Sequence, residues 1–263
     1  MKGHGRPPVK VRRDAGAHLL YGYHPVREAL RARRRRVGRV LVLSGRGEGR
    51  QRRAEILSLA RVAGVPTEEV PREALDRFAR TAEHQGIAAS VAPYPYEEEG
   101  DLLRRITGLK EPALVLALDG IQDPHNLGSI LRSANVAGAH AVLIPKDRSA
   151  EVTPAVAKAS AGAVEHTRVA RVTNLVRALD GLRGAGLWIV GADAEGETPL
   201  RSLDGRGALA IVVGGEERGL RSLVRRTCDL RVAIPVRGEI SSLNAGVAAA
   251  VILFEVVRQR ESA

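Results

Sequence analysis

The sequence predicts an α/β protein in two parts, a small α/β unit followed by a larger one on a mostly parallel sheet with helices on both faces. Three observations lead there. At 263 residues the chain is long enough for about two domains. Beyond Lys110, short continuous apolar runs alternate with helix-like segments, which is the pattern of parallel strands buried on both faces. Between the two regions, Pro93-Tyr94-Pro95-Tyr96 and three glutamates make a stiff, polar break.

Taken in order, residues 1–17 lack apolar periodicity and read as a basic, disordered tail. Residues 18–92 read as the small unit. It has a helix over Val26 to Ala32, a short buried strand over Val40 to Leu43 and a helix over Ala54 to Ala63. A strand begins at Val65, and Ile87 to Val91 closes the unit. Residues 93–110 read as linker, and 111–263 as the second unit. Its strands are expected at Leu114–Leu118, Ala141–Ile144, Leu187–Val190, Leu209–Val213 and Leu230–Ile234. Its helices are expected at Gly128–Ala137, Pro154–Ala161, Leu175–Leu182, Leu220–Thr227 and Ser242–Arg258.

Several classes drop out early. The single cysteine, Cys228, rules out a disulfide framework. The longest strongly apolar stretch, around Ala245 to Phe254, is too short to span a bilayer, and the basic N-terminus lacks an apolar run behind it. A cytoplasmic protein with no membrane partner is expected. The seven histidines are scattered without a ligand-spaced partner, so no metal site is expected. Hydrolase elbows and kinase motifs are missing. Strand Val40–Leu43 runs into Gly45-Arg-Gly-Glu-Gly49, which mimics a dinucleotide loop, but the third glycine position holds Arg50.

Charge gives the first positive clue. The chain carries +11, and residues 1–53 alone carry +13, so the remainder is slightly acidic. The excess includes Arg27 and the run Arg33, Arg34, Arg35, Arg36. Arginine clusters grip phosphate through paired N–H groups and release counterions from nucleic acid, so these residues are candidates for RNA contact. Aromatics are only 3% of the chain, too few for base-stacking platforms.

Three segments of the second unit place glycine or polar groups directly after an apolar strand, where open α/β sheets bind ligands. The first, Leu118 to Ala134, holds a Pro124 turn, Asn126 as a possible helix cap, and Arg132 nearly two helical turns on. The second, Ile211 to Leu220, ends a strand on Gly214 and Gly215. It then presents Glu216, suited to a cation or to ribose hydroxyls. The third, Ile234 to Ala250, meets Pro235, crosses a glycine loop and enters a helix led by Ser242 and Asn244. Small residues there suit close packing against another segment or subunit.

Together these segments resemble the three motifs of the SpoU/TrmH branch of the SPOUT methyltransferases, which methylate RNA ribose 2′-oxygens. The matching stretches are N-L-G-S-I-L-R-S at 126–133, V-V-G-G-E-E-R-G-L at 212–220 and I-P-V-R-G-E-I-S-S-L-N at 234–244. Tyr21 to Leu30 and Glu83 to Ile87 also resemble the family's ribosomal-protein-like substrate-binding domain. The layout is most similar to the RlmB-type enzymes, which methylate a guanosine of 23S ribosomal RNA.

The resemblance implies a trefoil-knotted α/β-knot domain, S-adenosyl-L-methionine as cofactor and a homodimer sharing its site. Carried over by motif, the catalytic set is Asn126, Arg132, Glu216, Ser242 and Asn244. Cofactor contacts fall on Gly214, Gly215, Ile234 and Leu243. Two alternatives remain at this point. One is methylation of another RNA, either transfer RNA or the site conferring thiopeptide resistance. The other is a non-catalytic RNA-binding or ribosome-assembly factor.

Overall fold

A computed structural model describes residues 18–45, 49–216 and 218–262. The tail expected over residues 1–17 lies outside the described residues. The chain divides into two compact units, one ending at Pro95 and the other beginning at Tyr96.

The first unit is a four-stranded sheet with helices. Its elements are β1 (His18–Tyr21), α1 (Tyr23–Ala32), β2 (Val37–Leu43), α2 (Arg50–Val62), β3 (Thr67–Val70), α3 (Arg72–Ala79) and β4 (Ile87–Val91). The sheet order is β1-β4-β2-β3, with β4 antiparallel to both β1 and β2, and β2 parallel to β3. Val40, Leu41 and Val42 are all fully buried, which explains the unbroken apolar run in β2. Leu41 packs with Leu75 and Phe78 of α3. Helix α3 and strand β1 lie outside the predicted elements. Leu19 and Leu20 offered too short an apolar run to mark β1, and α3 is only two turns long. The turn before β4 is pinned from inside. His84 is buried, contacts Asp76 through Nε2 at 2.7 Å, and accepts the Gly86 N–H through Nδ1 at 2.9 Å.

The second unit contains α4 (Glu99–Thr107), β5 (Leu114–Asp119), α5 (Pro124–Val136), β6 (Ala141–Pro145), α6 (Pro154–Ala159) and β7 (Val169–Val172). It continues with α7 (Leu175–Gly184), β8 (Trp188–Ala192), β9 (Thr198–Pro199), β10 (Leu209–Gly214), α8 (Ser222–Thr227), β11 (Leu230–Ala233) and α9 (Ala245–Glu261). Its seven strands are all parallel, in the order β7-β6-β5-β10-β8-β11-β9. Buried side chains of α4, α7 and α8 cover one face, among them Leu102, Leu179 and Val224. Helix α5 packs against both α6 and α9. The expected α/β class with a parallel sheet is therefore present.

Several local expectations change. The stretch expected to be linker holds α4, whose Leu102 and Ile106 enter the main core. Strand β7 escaped prediction because Val169-Ala-Arg-Val172 is short and carries an arginine. Helix α9 begins at Ala245, three residues later than expected, because Asn244 and not Ser242 caps it.

Strand order positions the site. The chain leaves β5 toward β6 on one side and leaves β10 toward β11 on the other, although β5 and β10 are neighbours. Such a switch point opens a crevice at the carboxyl ends of the two strands. Asp119 and Gly214 are paired residues at those ends.

Candidate active site

Helix α5 starts at Pro124, and Asp123 caps it by accepting the His125 and Asn126 N–H groups, each at 3.2 Å. These backbone bonds, the one from His125 foremost, hold the Asp123 carboxyl below the usual aspartate range. Asn126 is therefore not the cap; it sits in the first turn with its amide free to reach elsewhere. Asp119, whose side chain is fully buried, accepts the Arg221 N–H at 2.7 Å and its Nε at 2.6 Å. That pairing ties the end of β5 to the start of α8.

The amide of Asn126 joins the three segments. Its Nδ2 donates to Glu216 Oε1, and its Oδ1 accepts from Asn244 Nδ2 at 2.8 Å. Asn244 in turn uses Oδ1 to accept the Gly246 and Val247 N–H groups at 2.9 and 3.3 Å. Hydrogen bonds thus run in one direction, from the positive end of α9 through two amides to a carboxylate. Helix α9 comes this close to α5 because Gly246 faces Ser129, where a Cβ would strike the serine Oγ.

Beside Glu216 lies a cavity of about 280 Å³. Gly214, Gly215, Ile234 and Leu243 all line it, as do Ser242 and Glu216. Gly214 is required by the chain itself as well as by any ligand, because a Cβ there would strike the Gly219 backbone. Gly215 sits equally tightly, its hypothetical Cβ falling 2.8 Å from the Gly120 carbonyl oxygen. Two acidic lining residues were missed in the sequence. Asp193 and Glu195 follow β8, and Asp193 is held by Arg225 Nε at 3.0 Å. The apolar strand before them was visible, and the residues past its carboxyl end were the available sign. Cys228 is a free thiol. Burial first, with Asp229 and Asp193 nearby, pushes its thiol up to about 11.

Arg132 lies on the exposed side of α5, outside that cavity, and makes no hydrogen bond or ion pair among the described residues. Ser242 is exposed and caps nothing.

In the first unit the arginine candidates separate. Arg33 and Arg36 are exposed. Arg34 lies over the Tyr94 ring, 5.7 Å from its centroid. Arg35 is buried, 5.9 Å from the same ring, and donates to the Ala92 carbonyl oxygen at 3.3 Å. Of the four arginines in the run, Arg35 is the least exposed. Arg27 pairs with Glu28 at 2.6 Å and stacks on Tyr23. Among the described residues, no group of three or more His, Cys, Asp or Glu side chains converges to hold a metal. None of the described helices is long and apolar enough to cross a membrane.

Comparison with known proteins gives the same site a family. The family described as SpoU rRNA Methylase matches residues 113–254, and that described as RNA 2′-O ribose methyltransferase substrate binding matches residues 19–97. A Mycolicibacterium vanbaalenii protein named as an uncharacterized tRNA/rRNA methyltransferase is 45% identical, covering 98% of this chain and 84% of its own length. A Bacillus subtilis protein named for the TrmH family of tRNA/rRNA methyltransferases is also 45% identical, over 78% of this chain and 82% of its own. Among solved structures, the SpoU methyltransferase AviRb from Streptomyces viridochromogenes, in complex with AdoMet, superimposes with a TM-score of 0.78 at 29% identity. That match covers 95% of this chain and 92% of AviRb. With the methylase match spanning more than half of the sequence and all three motifs meeting at one switch point, the chain belongs to the SpoU rRNA methylase family.

Proposed function

We propose that this chain methylates the ribose 2′-oxygen of a guanosine in 23S ribosomal RNA, using S-adenosylmethionine, and that it works as a homodimer. The observation that carries this reading is the Glu216–Asn126–Asn244 chain standing beside the cavity walled by Gly214, Gly215, Ile234 and Leu243. The cavity fits such a methyl donor. Glu216, bonded to a neutral amide, gives it an anionic group suited to a sulfonium cation, and the glycine backbone admits a ligand closely. When bound, S-adenosylmethionine supplies a methyl group activated by positive sulfur.

The chain's own residues do the rest. Asn126 and Asn244 fix the direction of Glu216, which leaves one carboxylate oxygen to orient a ribose hydroxyl. A 2′-hydroxyl is a poor nucleophile at neutral pH, so charge developing on its oxygen needs a partner. Arg132 suits that role as a clamp on the neighbouring phosphate and on the emerging oxyanion. As a literal base it is poorly suited, because a guanidinium keeps its proton above about pH 12.

The homodimer is supported by an exposed apolar stripe on α9. Val247, Val251 and Phe254 recur at helical spacing, and Arg132 stands outside its own chain's cavity. Ribosomal RNA is favoured by the family's description, and the guanosine of 23S RNA by the resemblance of the two-part layout to the RlmB-type enzymes. Mapping 2′-O-methyl groups across total RNA, with and without the gene, tests it. Loss of one 23S guanosine mark is expected. A lost transfer-RNA mark would move the substrate, and no lost mark would leave an RNA-binding factor.

A further inference from the structure

A second cavity, about 620 Å³, adjoins the first and shares Gly215, Glu216 and Gly219 with it. Its size is that of a ligand cavity, about 300–1,000 Å³. Arg148, Arg218 and Arg221 line it. Of its carboxylates, one is neutralised by an ion pair and the others hold neutral N–H groups or line the wall. Asp119 takes Arg221, Asp123 takes the α5 N–H groups, and Glu216 takes Asn126. Arg148 and Arg218 have no ion pair among the described residues, although Asp123, Asp147 and Glu216 share the lining with them.

Arg148 is one of five non-glycine residues with a positive φ among the described residues. Its φ is +54°, in the left-handed region that a side chain such as arginine rarely adopts. The loop around it is held firmly. The Ala150 N–H donates to the Ile121 carbonyl oxygen at 2.8 Å, and Ser149 Oγ donates to the same oxygen at 3.3 Å. The fold therefore keeps a cation in a costly conformation beside a cavity that abuts Glu216. Strain of that kind concentrates at functional sites.

We propose that this second cavity seats a backbone phosphate next to the methylated nucleotide, with Arg148 and Arg218 as its grip. The inference rests on the reading of the chain as an RNA ribose methylase and deepens it. The methyl donor and the acceptor then occupy adjoining cavities, and Glu216 stands in the wall between them. Arg148 is a substrate-positioning residue by this assignment, distinct from Arg132.

The test uses Arg148→Asn in the full chain, because asparagine tolerates a left-handed φ and the fold is preserved. Binding of an unmodified 23S transcript is titrated at several salt concentrations, alongside calorimetry with S-adenosylmethionine. The expected result is RNA binding about tenfold weaker, with a log–log salt slope smaller by about one, the mark of one lost phosphate contact. Cofactor affinity should stay within about twofold of the parent. Arg148→Asn/Arg218→Gln should reduce the slope further. Unchanged RNA affinity and slope would overturn the proposal. So would weakened cofactor binding with RNA binding intact, since the arginines would then serve the cofactor's own carboxylate. Failure of the parent chain to methylate any RNA would overturn the broader reading, and the salt slope would still decide this one.

Discussion

Asn244 donates its side-chain amide to Asn126 across 118 residues of sequence, at 2.8 Å. Because Asn244 spends its own oxygen on the α9 N–H groups, the orientation of both amides is determined. Asn126 can then present only its N–H side to Glu216. The arrangement is a directional brace, and a single atom can break it.

Asn126→Asp makes that break. It replaces a donor with a second carboxylate facing Glu216 and also loses the bond between the amide and Glu216. Losing a hydrogen bond to a charged group costs about 1.5–3 kcal/mol, so turnover should fall roughly 10- to 100-fold. Repulsion should make Asp worse than Asn126→Ala. Single-turnover methylation of unmodified RNA measures this, and an Asp variant more active than the Ala variant would dismiss the brace.

Asn244 separates two roles. Asn244→Asp keeps a good helix cap but removes the donor to Asn126, so thermal stability should hold while activity falls. Asn244→Ala loses both, and its stability should drop by about 1 kcal/mol. Denaturant titration of the two variants beside their rates provides the comparison. Equal stability in both would mean that the cap contributes nothing.

The site was legible to the extent that strands announce their own ends. Gly214, Glu216 and Ile234 were found because apolar runs stop there, and a parallel sheet gathers those ends on one side. What sequence could not convey was which polar side chain serves which partner. Asn126 looked like a cap, yet Asp123, three residues earlier, had the position to take the free N–H groups. Arg35 looked like its neighbours in a run of four, and only the fold that brings the Ala92 carbonyl beside it shows the difference in burial. Asp193 stood at a strand end too, but an acid among acids carries no pattern until Arg225 is seen beside it.

Gly214 tests the difference between a ligand contact and a backbone requirement. Gly214→Ala puts a Cβ into the Gly219 backbone, an overpacking that costs about 1–3 kcal/mol. The melting temperature without cofactor should fall by several degrees, at roughly 2–4 °C per kcal/mol. Cofactor affinity should weaken with it. An unchanged melting temperature with poor cofactor binding would show that the glycine serves the ligand alone.

Acid stability should carry a contribution from Glu255 on α9. Hydrogen bonds from Arg258 at 2.8 and 2.9 Å, and then from Gln259 at 2.7 Å, lower its carboxyl to about 2 from 4.5. A group depressed in the folded state stabilises fully above its unfolded value, and the effect fades as pH falls toward its folded value. Stability should therefore decline between about pH 4.5 and 2 in the parent chain and less steeply in Glu255→Gln. Urea titrations across that range measure the slopes, and identical slopes would remove Glu255 from the account.

The place where the second unit begins can be decided by cutting the chain. Tyr96 belongs to that unit, since its hydroxyl accepts the Val152 N–H at 2.8 Å. Glu97 pairs with Arg105 at 2.7 Å, and its N–H donates to the Val169 carbonyl oxygen at 2.9 Å. Leu102 and Ile106 of α4 are 0% and 4% exposed against the core. Burial of each such side chain is worth about 1.5–3 kcal/mol, a large part of the roughly 5–15 kcal/mol that holds a domain. A fragment of residues 96–263 should therefore fold and retain its cofactor affinity. A fragment of residues 111–263, which the linker expectation would have called complete, should melt far lower or remain unfolded. Circular dichroism melts and calorimetry on both fragments give the answer. If the shorter fragment proved as stable as the longer, α4 would be an ornament on the core and the earlier boundary would stand.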